Sequence, residues 1–140
     1  MDDRRIADFF ETEVPFNRLL GLRVITISAG TCTCLIPFRA ELVGDPLRPA
    51  LHGGLTSTLA DAAGGLAVYS AVGTLQARVS TIDLRVDYYA PGELRDLHAE
   101  AEVARIGSRV GVARVRLHHG DPGVLVAEAR GVYSVWRPES

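Results

Sequence analysis

The segment from Leu51 to Gly65, LHGGLTSTLADAAGG, places a histidine and two glycines before a run of small and apolar residues. If a helix begins here, Gly54 lies in its first turn, where a backbone N–H has no partner within the helix and the helix dipole adds partial positive charge. Because glycine has no side chain, a carbonyl oxygen can approach Gly53 and Gly54 closely. The segment favours Gly54 as an oxyanion donor and Gly53 as a substrate contact. The alternative is a tight turn that simply needs glycine.

Asp61 is the only carboxylate in this segment. An ionised carboxylate on a buried helix is costly unless it is paired or has a function. One interpretation is a salt bridge to an arginine of the sheet, such as Arg85. The other is a carboxylate held near a reactive carbonyl, where it acts as general base for a water molecule or as nucleophile.

The spacing of Gly54 and Asp61 limits how they can act together. They are seven residues apart, which places them on one helix face but about 10 Å apart along the axis. One carbonyl group cannot contact both. The sequence therefore predicts a twofold dimer in which each chain completes the site of the other.

Several other residues are candidates for supporting roles. His52 can act as a base or hold the loop by a hydrogen bond, and we favour the positioning role. Thr81 lies early on the strand expected after the helix, where its hydroxyl can fix a water for Asp61. Thr58, on the same helix, is expected to contact substrate. Cysteines alternate in TCTCLI without a second pair nearby, which favours buried structural thiols, so no metal site is expected.

Periodicity and turn signals outline the elements that must position these residues. A short helix is expected over residues 4–13 and ends at Pro15. Two strands, GLRVITISAG and TCTCLIPF, favour a hairpin around Gly30, and a loop rich in proline and glycine follows. One long helix is expected from Gly53 to about Val72. Four further strands are expected at residues 77–89, 93–105, 109–118 and 124–136, with APGE, RIGS and HGDPG as hairpin turns.

These elements predict an α+β fold in one domain that spans residues 1–140, with a curved antiparallel sheet of about six strands wrapped around the long helix. The formal charge of −2 and the scattered arginines argue against nucleic-acid and membrane partners. The first residues, MDDRRIADFF, lack a long apolar core, and no later run is long enough to span a bilayer. We therefore expect a cytoplasmic protein.

The order and spacing of these segments resemble those of the hotdog-fold acyl-CoA thioesterases, in particular the PaaI-like branch with its HGG motif and downstream Asp. The similarity runs from about Phe16 to Val135 and includes LLGLRV, GDPLRPALHGG, LADAAGG, TIDLRVDYYAPG, ARIGSRVGVARVRL and LVAEARGVYSV. It implies that the Gly54 N–H polarises the thioester carbonyl. Asp61 of the partner subunit would then activate water or attack directly, while His52 supports the loop and Thr81 helps orient the water.

The resemblance also implies substrate contacts outside the helix. Members of this branch commonly carry Asn about seven residues before the His, where this chain has Asp45. An ionised Asp accepts hydrogen bonds but cannot donate one, so Asp45 is protonated, only accepts, or lies one position away from the matching site. The segment RIGSRV is similar to a turn that contacts the CoA phosphates, with Gly107, Ser108 and Arg109 as candidates.

The resulting expectation is an acyl-CoA thioesterase without a bound cofactor, because coenzyme A is part of the substrate, assembled as a dimer or a dimer of dimers. A hotdog hydratase is a weaker alternative, since Asp61 is followed only by small and apolar residues, with no histidine nearby on the helix. A non-catalytic acyl-CoA-binding or regulatory protein is the alternative from another class, and Asp61 would be dispensable there.

Overall fold

The computed structural model describes residues 2–138, which begin with two short helices. Helix α1 spans Asp3–Thr12, and the carboxylate of Asp2 caps it by accepting the backbone N–H groups of the first turn. Helix α2 spans Pro15–Leu20 and ends at Gly21, whose φ is 70°. The sequence predicts that a helix ends before Pro15, and α1 does. It misses α2, because proline also suits the first position of a new helix.

A hairpin and a small ribbon come next. Strands β1 (Arg23–Ser28) and β2 (Thr31–Ile36) pair around Gly30, as expected. The following segment is expected to be a loop, but it contains a 3-10 turn and two short paired strands, β3 (Val43–Asp45) and β4 (Ala50–Leu51). A Cβ on Gly44 would stand 2.6 Å from the Cα of His52. This ribbon therefore packs directly against the residue that precedes the long helix.

The remaining elements form the main layer of the fold. They are the helix α3 (Gly53–Val72) and the strands β5 (Arg78–Tyr88), β6 (Leu97–Ile106), β7 (Val110–His118) and β8 (Leu125–Trp136). Six strands make one antiparallel sheet in the order β1-β2-β6-β7-β8-β5. The α+β prediction of about six strands around one long central helix is confirmed.

The position of β5 differs from the sequence expectation. Its residues pair with β8 at one edge of the sheet, whereas β6 pairs with β2. The segment APGE after β5 is therefore not a hairpin turn but the start of a connection across the sheet. Proline and glycine allow the chain to bend there, but strand partners are decided by packing between distant elements. RIGS and HGDPG do join neighbouring antiparallel strands.

Small side chains let α3 lie close to the inner face of the sheet. Ala60, Ala63 and Ala67 are fully buried, with Leu59 and Leu66 filling the spaces beside them. Burial of each of these leucines contributes roughly 1.5–3 kcal/mol. On the outer face, polar and charged side chains alternate with the buried positions of β7 and β8. Within residues 2–138, no helix has both the length and the apolar character needed to span a membrane.

Candidate active site

Asp61 lies half-buried on α3, facing β5. Its Oδ1 accepts a hydrogen bond of 2.7 Å from the Oγ1 of Thr81. Arg85 instead pairs with Asp87 on the exposed side of its strand. In the part of the chain that the structure describes, no basic side chain reaches Asp61 to form a salt bridge. The carboxylate is thus held by a neutral hydroxyl and not neutralised by Arg85.

Thr81 stands beside an irregularity in the sheet. It pairs with Tyr133 of β8, but the register then shifts, so that Ile82 has no partner and is 59% exposed. A bulge of this kind changes the direction of neighbouring side chains and is common next to active sites. It gives a local reason why Thr81 points at Asp61.

Tyr133 is a supporting residue that the sequence analysis missed. Its Oη donates a hydrogen bond of 2.9 Å to the backbone carbonyl of Asp61. Burial, and then the neighbouring Asp61 carboxylate, raises the pKa of the Tyr133 phenol, so it stays a donor. A Cβ on Gly64 would clash with this hydroxyl. Gly64 and Gly65 inside a helix are the sequence signal that a bulky group sits there, because glycine weakens a helix interior.

The start of α3 differs from the expected arrangement in one respect. The Nδ1 of His52 accepts the backbone N–H of Gly54 at 2.8 Å, so this side chain caps the helix. The N–H expected to bind an oxyanion is therefore engaged within its own chain. The N–H of Gly53 has no acceptor among residues 2–138, and this residue is exposed. The sequence could not show which N–H the histidine accepts, because this depends on the orientation of the His52 ring.

The carbonyl groups of the two glycines also have partners. Tyr88 Oη donates to the Gly53 carbonyl at 2.7 Å and contacts the hydroxyl of Ser57. Thr58 Oγ1 donates to the Gly54 carbonyl at 2.8 Å. Tyr88 is a second residue that sequence reasoning missed, since nothing local indicates that the end of β5 reaches the start of α3.

Asp45 lies at the end of β3 and forms a turn. Its Oδ1 accepts the backbone N–H groups of Leu47 and Arg48 at 3.0 and 3.1 Å. This is an Asx-type turn, which Asp forms well as an acceptor. In both contacts the Asp45 oxygen accepts a hydrogen bond and does not donate one.

The turn at Gly107, Ser108 and Arg109 lies far from the start of α3. It is exposed, and the guanidinium of Arg137 donates to the carbonyls of Gly107 and Ser108. The nearby Gly111 packs on Val68, which follows Gly53 by fifteen residues or about 22 Å of helix. The structure does not bring this turn together with Gly53 in one chain.

A groove of about 650 Å³ runs beside Asp61 and Thr81. Its walls come from α3, from β5 and from the two N-terminal helices. The residues that line it include Thr58, Asp61, Gly65, Tyr69, Thr81 and Leu84, with Phe9, Phe10 and Phe16 on the side of the N-terminal helices. The arrangement is chemically suited to an apolar chain whose polar end reaches a carboxylate.

Comparison with known proteins agrees with this architecture. The family model described as the thioesterase superfamily matches residues 49–126. The chain is 32% identical to the medium/long-chain acyl-CoA thioesterase YigI of Salmonella typhimurium, over 93% of this chain and 91% of that protein. YigI of Escherichia coli K12 is 30% identical over the same shares.

A solved structure shows the same relationship. A protein of Shewanella oneidensis related to the thioesterase superfamily is 32% identical and superposes with a TM-score of 0.83, covering 94% of this chain and 93% of that one. The family match spans more than half of the chain, and both YigI relatives match over most of their length. The chain therefore belongs to the thioesterase superfamily, the hotdog family that its motifs resemble, and is a thioester hydrolase.

Proposed function

We propose that this protein hydrolyses an acyl-CoA thioester to the free carboxylic acid and CoA, as a member of the PaaI-like branch and without a bound cofactor. The observation that carries the proposal is Asp61, held by Thr81 at the edge of an apolar groove. The YigI relatives, which are named medium/long-chain acyl-CoA thioesterases, support an aliphatic acyl chain in that groove.

The oxyanion donor in this proposal is the backbone N–H of Gly53. It stands at the first position of a twenty-residue helix, where the N–H points away from the helix and the dipole favours negative charge. The neighbouring Gly54 N–H is bonded to His52 and is not available. His52 is thus a capping residue that supports the donor, and Gly54 is replaced by Gly53 in the role of donor.

The distance between donor and carboxylate requires two chains. Gly53 and Asp61 are eight residues apart on α3, which is about 12 Å along the axis. Strand β5, which holds Thr81 against Asp61, is an edge strand with one unpaired side. An exposed edge is a natural place for a second chain to add. We therefore propose a twofold dimer in which Gly53 of one chain and Asp61 of the other face the same carbonyl.

Two chemical routes are open to Asp61. As a general base, it takes a proton from water while the water oxygen attacks the carbonyl carbon; the tetrahedral intermediate collapses, the C–S bond breaks and the CoA thiolate takes up the proton. As a nucleophile, it attacks the carbonyl itself, the thiolate leaves, and water then hydrolyses the mixed anhydride. In both routes the developing oxyanion is stabilised by the Gly53 N–H.

Asp45 and the turn at 107–109 have different roles in this proposal. Asp45 is assigned to the turn that positions His52, since its carboxylate already accepts two N–H groups. The turn at 107–109 stays a candidate for the CoA phosphates. This turn lies near the C-terminal half of α3, on the far side of Asp61 from Gly53. It would therefore bind the CoA of a substrate whose carbonyl contacts Asp61 of the same chain.

Thiol release from a panel of acyl-CoAs tests the proposal. Asp61→Asn keeps the shape of the side chain and removes its negative charge, so we expect the rate to fall at least about a hundredfold. An Asn variant as active as the wild type would contradict the mechanism. No thiol release by the wild type on any acyl chain would instead favour a non-catalytic acyl-CoA-binding protein.

A further inference from the structure

We propose that Tyr88 is a positioning residue for the oxyanion donor, an inference that rests on the proposed role of the Gly53 N–H. Tyr88 is the last residue of β5, and its Oη donates to the Gly53 carbonyl at 2.7 Å. Tyr88 is 51% exposed. The bond to Gly53 is thus not imposed by burial.

The hydroxyl of Ser57 extends this contact into a chain of two hydrogen bonds. The Gly53 carbonyl has no proton, so the phenol of Tyr88 must donate to it. A phenol has one proton, so the hydroxyl of Ser57 must donate to Tyr88. Two bonds in series strengthen each other, and Ser57 lies one turn further along the same helix. Strand β5 and the first turn of α3 are tied together at this point.

These two hydrogen bonds matter because they hold one of the two peptide groups that flank Gly53. The peptide group before Gly53 is oriented by the His52 carbonyl, which accepts the Leu55 N–H at 2.9 Å. The peptide group after it is held at both ends: its carbonyl accepts from Tyr88, and its N–H, that of Gly54, donates to His52. Two glycines in succession are the loosest start that a helix can have. These contacts remove that freedom and fix the direction of the Gly53 N–H.

One strand then serves two sites. Thr81 and Tyr88 are seven residues apart on β5, or about 23 Å. Thr81 contacts the carboxylate of Asp61, and Tyr88 contacts the donor Gly53. Since the proposed dimer uses these two groups in different sites, β5 positions the carboxylate of one site and the oxyanion donor of the other.

Tyr88→Phe tests the proposal, because it keeps the ring and removes the hydroxyl. We expect kcat to fall about tenfold while KM stays within about twofold, since a misdirected donor loses transition-state stabilisation and not substrate binding. Ser57→Ala should lower kcat by a smaller factor. Tyr89→Phe is the matched control: it removes a phenol from the next residue, which is exposed, and should leave kcat unchanged.

Amide hydrogen exchange gives a second readout that does not depend on activity. In Tyr88→Phe, exchange of the Gly54 N–H should become about tenfold faster than in the wild type, because the peptide group loses one of its two anchors. A wild-type kcat in Tyr88→Phe, or a loss of kcat that follows a fall in Tm and recovers on cooling, would overturn the proposal. If the wild type released no thiol, the proposed function would fail, and unchanged exchange at Gly54 would separately overturn the positioning role.

Discussion

The Nδ1 of His52 accepts the backbone N–H of Gly54 at 2.8 Å. His52 thus caps the start of the helix, as Ser, Asn or Asp usually does. This bond also divides the HGG motif between two tasks. The histidine and the second glycine close the first turn of α3, and the first glycine keeps an N–H that points out of the helix.

The free N–H of Gly53 can be removed without removing the helix. Proline suits the first helical position, and the extended conformation of His52 is one that a residue before proline adopts. We expect Gly53→Pro to fold with a Tm close to that of the wild type and to lose about a hundredfold in kcat, the loss typical of a missing oxyanion donor. Gly53→Ala keeps the N–H and is the control. Equal activity of the Pro and Ala variants would contradict the assignment.

The hydroxyl of Thr81 supports Asp61 by a charge-assisted hydrogen bond. Thr81→Val removes the hydroxyl with little change of shape, and Thr81→Ser keeps it. A hydrogen bond to a charged group contributes about 1.5–3 kcal/mol, so we expect Thr81→Val to lower kcat about tenfold or more. Thr81→Ser should stay within a few-fold of the wild type. Steady-state kinetics check this, and a Val variant as active as the Ser variant would show that the bond has no part in the reaction.

We expect Gly65, which lines the groove, to control how far the proposed acyl chain extends there. Asp61 and Tyr69 both line the groove. They are eight residues apart, which is about 12 Å along the helix. An extended acyl chain of roughly ten bonds would span this distance. Gly65 lies midway, so Gly65→Leu should obstruct a long chain and not a short one. We expect kcat/KM for dodecanoyl-CoA to fall about tenfold relative to butanoyl-CoA. An equal change for both substrates would place the acyl chain elsewhere.

His98 makes stability depend on pH. Its ring stacks on the buried ring of His118, with 5.5 Å between the ring centroids. Burial, and to a lesser extent the charge of His118, lowers the pKa of His98. The unfolded chain therefore takes up a proton first as the pH falls below about 6.5. The stability that neutral His98 provides is present above that pH and is lost below it. Urea midpoints between pH 8 and 5.5 should fall more steeply in the wild type than in His98→Asn, and parallel curves would contradict this.

Local signals predict the main elements well. Both ends of α3 agree with the structure, because glycines stand at its start and at its C-cap, Gly73. The edge position of β5 was not predictable, since pairing with β8 joins residues that are distant in sequence. The burial of His118, whose Nε2 lies 2.8 Å from Glu100 Oε2, likewise depends on contacts between strands.

In the candidate site, too, some features follow from local sequence signals and others do not. The pair of Asp61 and Thr81 follows from a charge on an apolar helix and a hydroxyl on the next strand, and both lie where the sequence suggests. Tyr88 and Tyr133 bond to backbone carbonyls 35 and 72 residues away, and no local pattern encodes such contacts. The cytoplasmic location stays a prediction, and so does the assembly as a dimer or a dimer of dimers. The expected lack of a cofactor and of nucleic-acid or membrane partners also stays a prediction.

Mixed dimers test whether Gly53 and Asp61 act on one thioester from two different chains. Asp61→Asn and Gly53→Pro would each be inactive alone. In dimers that contain one chain of each kind, one site keeps both an intact Gly53 and an intact Asp61. Random mixing should therefore restore about a quarter of the wild-type thiol release per chain. No recovery in dimers shown to be mixed would contradict the shared site.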